Sequence, residues 1–165
     1  TASRLITIDG EAFVLGALVL ANFGAAGQLL LPDGRRPLPG SAPEAEKGSV
    51  IVVLVTDLPL GDRQLQRVAR RAGAGLARLG AFWGHGSGDV ALCFTTAEPV
   101  EHVPASAFAT LRRLDDARID LAFQAAAEAT QEAVLNAMCA APSTPGREGR
   151  IYPALADWLK ENPLP

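Results

Sequence analysis

Two short segments carry the residue types that acyl chemistry needs. The first is Gly48-Ser49, which lies between a proline-rich stretch and the β-branched run Val50 to Val55. A serine that opens a strand directly after a glycine can attack its own preceding carbonyl. The amide then becomes an ester on the serine oxygen, and hydrolysis of that ester leaves Ser49 as a new chain terminus. Its α-amine would lie beside its hydroxyl, and an α-amine with an ordinary pKa of about 7.7–8.0 is a general base near neutral pH without a histidine. By itself, Gly-Ser at a loop end is equally the composition of a turn.

The second segment is Gly84-His85-Gly86-Ser87-Gly88-Asp89. A dinucleotide fingerprint would need glycine where Asp89 stands, and a strand rather than a helix before it. A nucleophile elbow would need glycine at His85 and a helix afterwards, whereas Val90 to Thr95 reads as a strand. His85, Ser87 and Asp89 make a poor local triad, because triad members converge from separate elements. The plain structural reading is a glycine-rich hairpin bend. Cys93 and Cys139, with His85 and His102, have no metal-ligand spacing, so no metal or cofactor is expected and both cysteines read as buried and free.

The elements that must position these residues follow from periodicity. Leu5, Ile6 and Ile8 mark an opening strand, and the unbroken apolar run Ala12 to Ala21 reads as a strand buried on both faces, ending at Asn22-Phe23-Gly24. Leu29 to Leu31 reads as a short extension. Residues 32–48 are rich in proline and form a linker. Leu65, Val68, Ala69, Ala72, Leu76 and Leu79 recur at helical spacing and predict a helix of about five turns ending near Gly80, its four arginines forming a solvated face. A loop over 98–107 leads to a long alanine-rich helix from Asp116 to Ala140, with Leu121, Ala125, Ala129, Val134, Leu135 and Met138 inside. A short end segment surrounds Trp158.

With 165 residues and 48% hydrophobic content the chain can build a core, and its net charge of -3, without any Lys/Arg run, offers no field for nucleic acid. Its longest apolar run is about half of the roughly 20 residues a helical membrane span needs, so no membrane partner is expected. The opening Thr1-Ala2-Ser3-Arg4 has neither a signal peptide's charged start nor an initiator Met, which reads as a chain cut from something longer. The expected location is the cytoplasm, or the periplasm if an upstream signal was removed.

GSVIVVLVTDLPL at 48–60, GHGSGDVALCFTTAE at 84–98 and EATQEAVLNAM at 128–138 resemble consecutive blocks of the DmpA family of L-aminopeptidase D-esterase/D-aminopeptidases and β-peptidyl aminopeptidases. TASR at the start and LVLANFG at 18–24 are similar to further blocks. The resemblance implies an α/β fold, a layered α-β-β-α sandwich of the DmpA/ornithine acetyltransferase type. The chain would be the C-terminal part of a single catalytic domain in a larger precursor, with 1–48 ending the upstream segment and 49–165 following the nucleophile.

Residue by residue, the resemblance implies autocleavage between Gly48 and Ser49, Ser49 as nucleophile, Asn22 as an oxyanion donor, and Ser87 and Asp89 near the nucleophile and its amine. Asp89 is shorter than the Glu that some relatives carry. Thr1 is also an N-terminal nucleophile type, so a variant processed before Thr1 stands beside this reading. The implied partners are the upstream half of the precursor as a second chain, further copies in an oligomer such as a tetramer, and a small peptide, amide or ester substrate. Rival readings keep the fold but change the role: an amide hydrolase of the nylon-oligomer type, an acyltransferase, or a non-catalytic assembly module.

Overall fold

The computed structural model describes residues 1–38, 48–104, 106–146 and 149–163; of the expected linker, residues 39–47 lie outside the described residues. Strand β1 (Ala2–Ile8) turns into β2 (Glu11–Asn22) through Asp9-Gly10. Both turn residues adopt positive φ, 50° and 86°, which matches the twist of a two-residue hairpin. β2 pairs antiparallel with β3 (Ser49–Thr56), and β3 pairs in parallel with β4 (Val90–Thr95), giving one sheet in the order β1-β2-β3-β4. The parallel pair requires a crossover, supplied by α1 (Asp62–Ala69) and α2 (Ala72–Ala77).

Alternation along the strands decides which face is covered. Ile6, Leu15, Ala17, Val50, Val52 and Leu54 are buried against the helices. Their neighbours of opposite parity, including Leu5, Leu18, Leu20, Ile51, Leu92 and Phe94, stay exposed, Leu20 at 67%. The run Ala12 to Ala21 is therefore covered on one face only, which corrects the expectation of burial on both. The long helix α3 (Asp120–Ala140) crosses β1 and β2, with α2 packed along it. Ala122, Ala126, Ala129 and Ala133 are fully buried, small residues that let α3 lie close to the sheet and to α2.

Several expectations change in detail. The five-turn helix divides at Arg70-Arg71, where Arg71 N–H bonds back to Val68 O at 2.9 Å and Ala74 N–H to Arg71 O at 3.1 Å, tighter turns that reset the helix axis. Arg67 and Arg71 stack over Phe123, and Arg63 and Arg67 reach Asp116, so part of the arginine face ties α1 to the start of α3. Residues 116–118 form a 3-10 turn before α3, and Phe123 takes the buried place expected of Leu121, which is exposed. Leu29 to Leu31 is loop; Leu30 N–H bonds Leu79 O at 3.1 Å. Cys139 is exposed rather than buried. A small ribbon of β5 (Thr144–Pro145) and β6 (Ile151–Tyr152) precedes α4 (Leu155–Glu161), which Arg35 holds by stacking over Trp158 and donating to Asn162 O at 2.7 Å. Among the described residues no helix is long and apolar enough to cross a membrane.

Candidate active site

The open face of the sheet ends at Asn22 and Ser49. These two residues face each other across the antiparallel pair as its last register position. Asn22 shares parity with the exposed Leu18 and Leu20, and Ser49 with the exposed Ile51, so both side chains project from the same uncovered face. Directly opposed residues have Cβ atoms about 4.5–5.5 Å apart, within reach of a shared reacting group. Gly48 enters this corner where no side chain fits, because a Cβ there would run into the Asn22 carbonyl oxygen.

The parallel side of β3 brings in the glycine-rich segment. Ladder pairing starts at Ile51 with Val90, which aligns Ser49 and Val50 with Gly88 and Asp89. Gly88 N–H donates to Ser49 Oγ at 3.0 Å. Asp89 Oδ1 accepts Val50 N–H at 3.0 Å and the Ser87 hydroxyl at 2.5 Å. A carboxylate that takes both bonds ties the turn to the residue just after Ser49 while the serine itself remains half-buried. Because β4 runs parallel to β3, the segment joins α2 to β4 and is not the hairpin bend expected from composition.

Asn22 and Ser49 thus share the open face, while Asp89, level with Val50, and the Ser87 hydroxyl that it accepts lie beside the backbone just after Ser49; the four residues come from three strand ends remote in sequence. His85 is exposed and takes no part in the Ser87–Asp89 bond, so no local triad forms. Thr1 is elsewhere. It precedes Ala2, which pairs with Ala17, so along β2 it stands about four residues short of Asn22, roughly 14 Å. Its carbonyl accepts Asn136 Nδ2 at 2.9 Å on the α3 side. Gly88 is the one site contact that the residue types did not point to; its contribution is a backbone N–H, visible only once β3 and β4 are paired. Cys93 pairs with Leu54, five residues along β3 from Ser49, and burial pushes its thiol up to about 12, leaving it protonated and inert near neutral pH. Among the described residues no group of His, Cys, Asp and Glu could hold a metal.

The model of peptidase family S58 matches residues 1–152. The chain belongs to that family. The β-peptidyl aminopeptidase BapA of Sphingosinicella microcystinivorans is 33% identical over 167 aligned positions, covering 90% of this chain and 42% of its own length. A solved protein of Pyrococcus horikoshii OT3 superposes with a TM-score of 0.81 at 37% identity, over 96% of this chain and 44% of that one. The L-aminopeptidase D-Ala-esterase/amidase of Ochrobactrum anthropi, a variant of the Ntn hydrolase fold, superposes with a TM-score of 0.77 at 34% identity, over 97% of this chain and 47% of its own. The S58 chain therefore has the fold class that its sequence blocks imply. It spans less than half the length of these relatives, and forms one sheet layer with one helical layer.

Proposed function

We propose that this S58 chain is the nucleophile-bearing part of a self-processing N-terminal-nucleophile aminopeptidase, with Ser49 as nucleophile. The observation that carries the reading is the Gly48-Ser49 junction. It stands at the open end of β3, opposite Asn22, with its hydroxyl oxygen gripped by Gly88 N–H at 3.0 Å.

Processing begins when Ser49 Oγ attacks the Gly48 carbonyl carbon. The C–N bond breaks as the C–O bond forms, and the proton of Oγ ends on the released Ser49 amine. Water then hydrolyses the ester to a Gly48 carboxylate and restores the hydroxyl. Glycine at 48 suits this step, because the scissile carbonyl must lie where a side chain would strike the end of β2. In turnover the same Oγ attacks the substrate carbonyl while the α-amine takes its proton and passes it to the leaving amine. Asn22 donates its side-chain amide to the oxyanion, and Asp89 holds the α-ammonium through a charge-assisted bond. The place of Thr1, about four residues short of Asn22 along β2, favours Ser49 over Thr1 in this reading.

The upstream part of the precursor is the natural partner, because the uncovered apolar sheet face needs a second layer. Assembly of such pairs into a larger oligomer follows from the family resemblance. The relatives act on β-peptidyl, L-amino acid and D-alanyl compounds by their names. For this chain the substrate class is a short peptide, amide or ester with a free amine. Intact mass of every chain in the purified full-length protein, followed by turnover of β-homoalanyl, L-alanyl and D-alanyl nitroanilides, tests the reading. A single uncut mass with no turnover of any of the three would overturn it.

A further inference from the structure

Two features of Gly88 bear on the Ser49 oxygen. Its N–H donates to Ser49 Oγ at 3.0 Å instead of to a backbone carbonyl. Its missing side chain matters as well: a Cβ at Gly88 would stand 3.3 Å from Ser49 Oγ and, its chain neighbours aside, within 4 Å of no other heavy atom among the described residues. The peptide is also held firmly. Ser87 N–H bonds Gly84 O at 3.0 Å, the Ser87 hydroxyl bonds Asp89 Oδ1 at 2.5 Å, and Asp89 Oδ1 takes Val50 N–H at 3.0 Å. The donor is therefore fixed on both sides of the residue.

An N–H aimed at a serine oxygen occupies one lone pair and leaves the hydroxyl proton to point elsewhere, toward a base. Its effect grows when the oxygen carries charge, since hydrogen bonds to ionised acceptors are roughly twice as strong as neutral ones. In acylation, negative charge leaves Oγ for the carbonyl oxygen. In deacylation it returns: water bonds to the acyl carbon, the C–Oγ bond breaks with its electron pair on Oγ, and the proton lost by water reaches Oγ through the α-amine.

Resting on the assignment of Ser49 as nucleophile, we infer that the backbone N–H of Gly88 is a catalytic donor. It aims Ser49 Oγ for attack and stabilises that oxygen as the leaving group when the acyl-enzyme is hydrolysed. Glycine is needed there because a side chain would crowd the acylated oxygen.

The test replaces Gly88 by glycolic acid in the full-length protein, an amide-to-ester exchange that removes only the N–H, made by in vitro translation with a chemically acylated suppressor tRNA. With an aminoacyl nitroanilide, the expected result is a steady-state rate about tenfold or more below the parent after a nitroaniline burst, as expected for loss of a donor that acts on developing charge. The acyl-enzyme should then be visible by mass on the Ser49 chain. Gly88→Ala keeps the N–H but adds the methyl, so it should slow the burst itself without accumulating acyl-enzyme. A glycolate protein with the parent's burst and steady-state rates overturns the inference while leaving Ser49 as nucleophile. Loss of processing together with loss of the cooperative melt makes Gly88 a structural residue only and also overturns it. Retained turnover in Ser49→Ala would instead remove the underlying assignment.

Discussion

At the C-terminal end of β3, Thr56 Oγ1 donates to Val14 O at 2.7 Å and accepts Leu58 N–H at 3.1 Å, while Asp57 Oδ1 takes Val14 N–H at 2.7 Å. Thr95, the last residue of β4, likewise donates to Leu58 O at 2.7 Å and accepts Ala97 N–H at 3.1 Å. At the N-terminal end the same kinds of group recur as Ser49, Ser87 and Asp89, yet Ser49 Oγ accepts a bond and its proton has no acceptor among the described residues. One end spends every hydroxyl on backbone groups and is sealed, with Thr56 only 2% exposed. The other leaves a hydroxyl half-open on the uncovered face. Hydroxyl and carboxylate clustering is thus no sign of chemistry by itself; an uncommitted proton on an accessible oxygen separates the two ends.

The sharpest way to break this contrast is Ser49→Ala in the full-length protein. Self-cleavage at 48–49 should stop, and residual hydrolysis should fall by about 10⁴-fold or more, as for removal of a nucleophile elsewhere. Gel analysis and nitroanilide turnover read both effects. Next in size is Asn22→Ala. The side chain projects from the open face, so the fold should hold, while kcat falls about 100- to 1,000-fold from loss of an oxyanion donor. A kcat equal to the parent's in correctly cleaved Asn22→Ala would reduce Asn22 to a strand-end residue.

What the sequence made legible follows the same division. The β-branched run after Ser49 and the apolar run before Asn22 are continuous strand signals, and each formed a strand; the alanine-rich stretch expected as a helix over 116–140 formed one over 120–140 after a 3-10 turn. Leu121 misled because an alanine-rich helix has weak contrast between faces: the buried stripe around it is mostly Ala122, Ala125 and Ala126, with Phe123 the large side chain that marks it. The break at Arg70-Arg71 has no strong signal, since arginine is a good helix former. The blocks of family-like sequence single out Ser49, Asn22, Ser87 and Asp89 together, whereas the residues alone offer Ser49 as a serine able to attack its own preceding carbonyl and otherwise a turn and a bend. Gly88 escaped because its working group is a backbone N–H aimed by a parallel pairing of residues 39 apart.

Asp89→Asn probes the charge at the open end while keeping its shape. The amide oxygen can still accept Val50 N–H and the Ser87 hydroxyl, so stability should change little. After cleavage, a carboxylate near the Ser49 α-ammonium favours the protonated amine, and its removal lowers the amine's pKa. The amine works as a base only when deprotonated, so activity rises through that pKa and the acidic limb should move to lower pH. Each unit of such a shift corresponds to about 1.4 kcal/mol. Superimposable profiles of kcat/KM against pH, from equally cleaved proteins, would confine Asp89 to holding its turn.

Thr56→Val addresses the sealed end and should have the smallest effect on chemistry. Valine matches threonine in shape, so packing against the buried neighbours survives. What disappears is the oxygen that serves the Val14 carbonyl and the Leu58 N–H, both beside the core at the point where β2, β3 and the following loop meet. The Val14 carbonyl keeps the Asp57 N–H at 3.3 Å, so the Leu58 N–H is the group left without its partner, at a cost of about 1–3 kcal/mol. The denaturation midpoint should therefore fall with an unchanged slope, as for a loss of stability without a change in the unfolded state. Self-cleavage and kcat should stay within about twofold of the parent at a temperature where both proteins are folded, because one pair of lost bonds at the far end leaves the Ser49 corner in place. If Thr56→Val instead blocked cleavage in a protein that still melts cooperatively, the two ends of β3 would be coupled through the strand. The division into a structural end and a chemical end would then fail, and the register of β3 against β2 would become part of what positions the nucleophile.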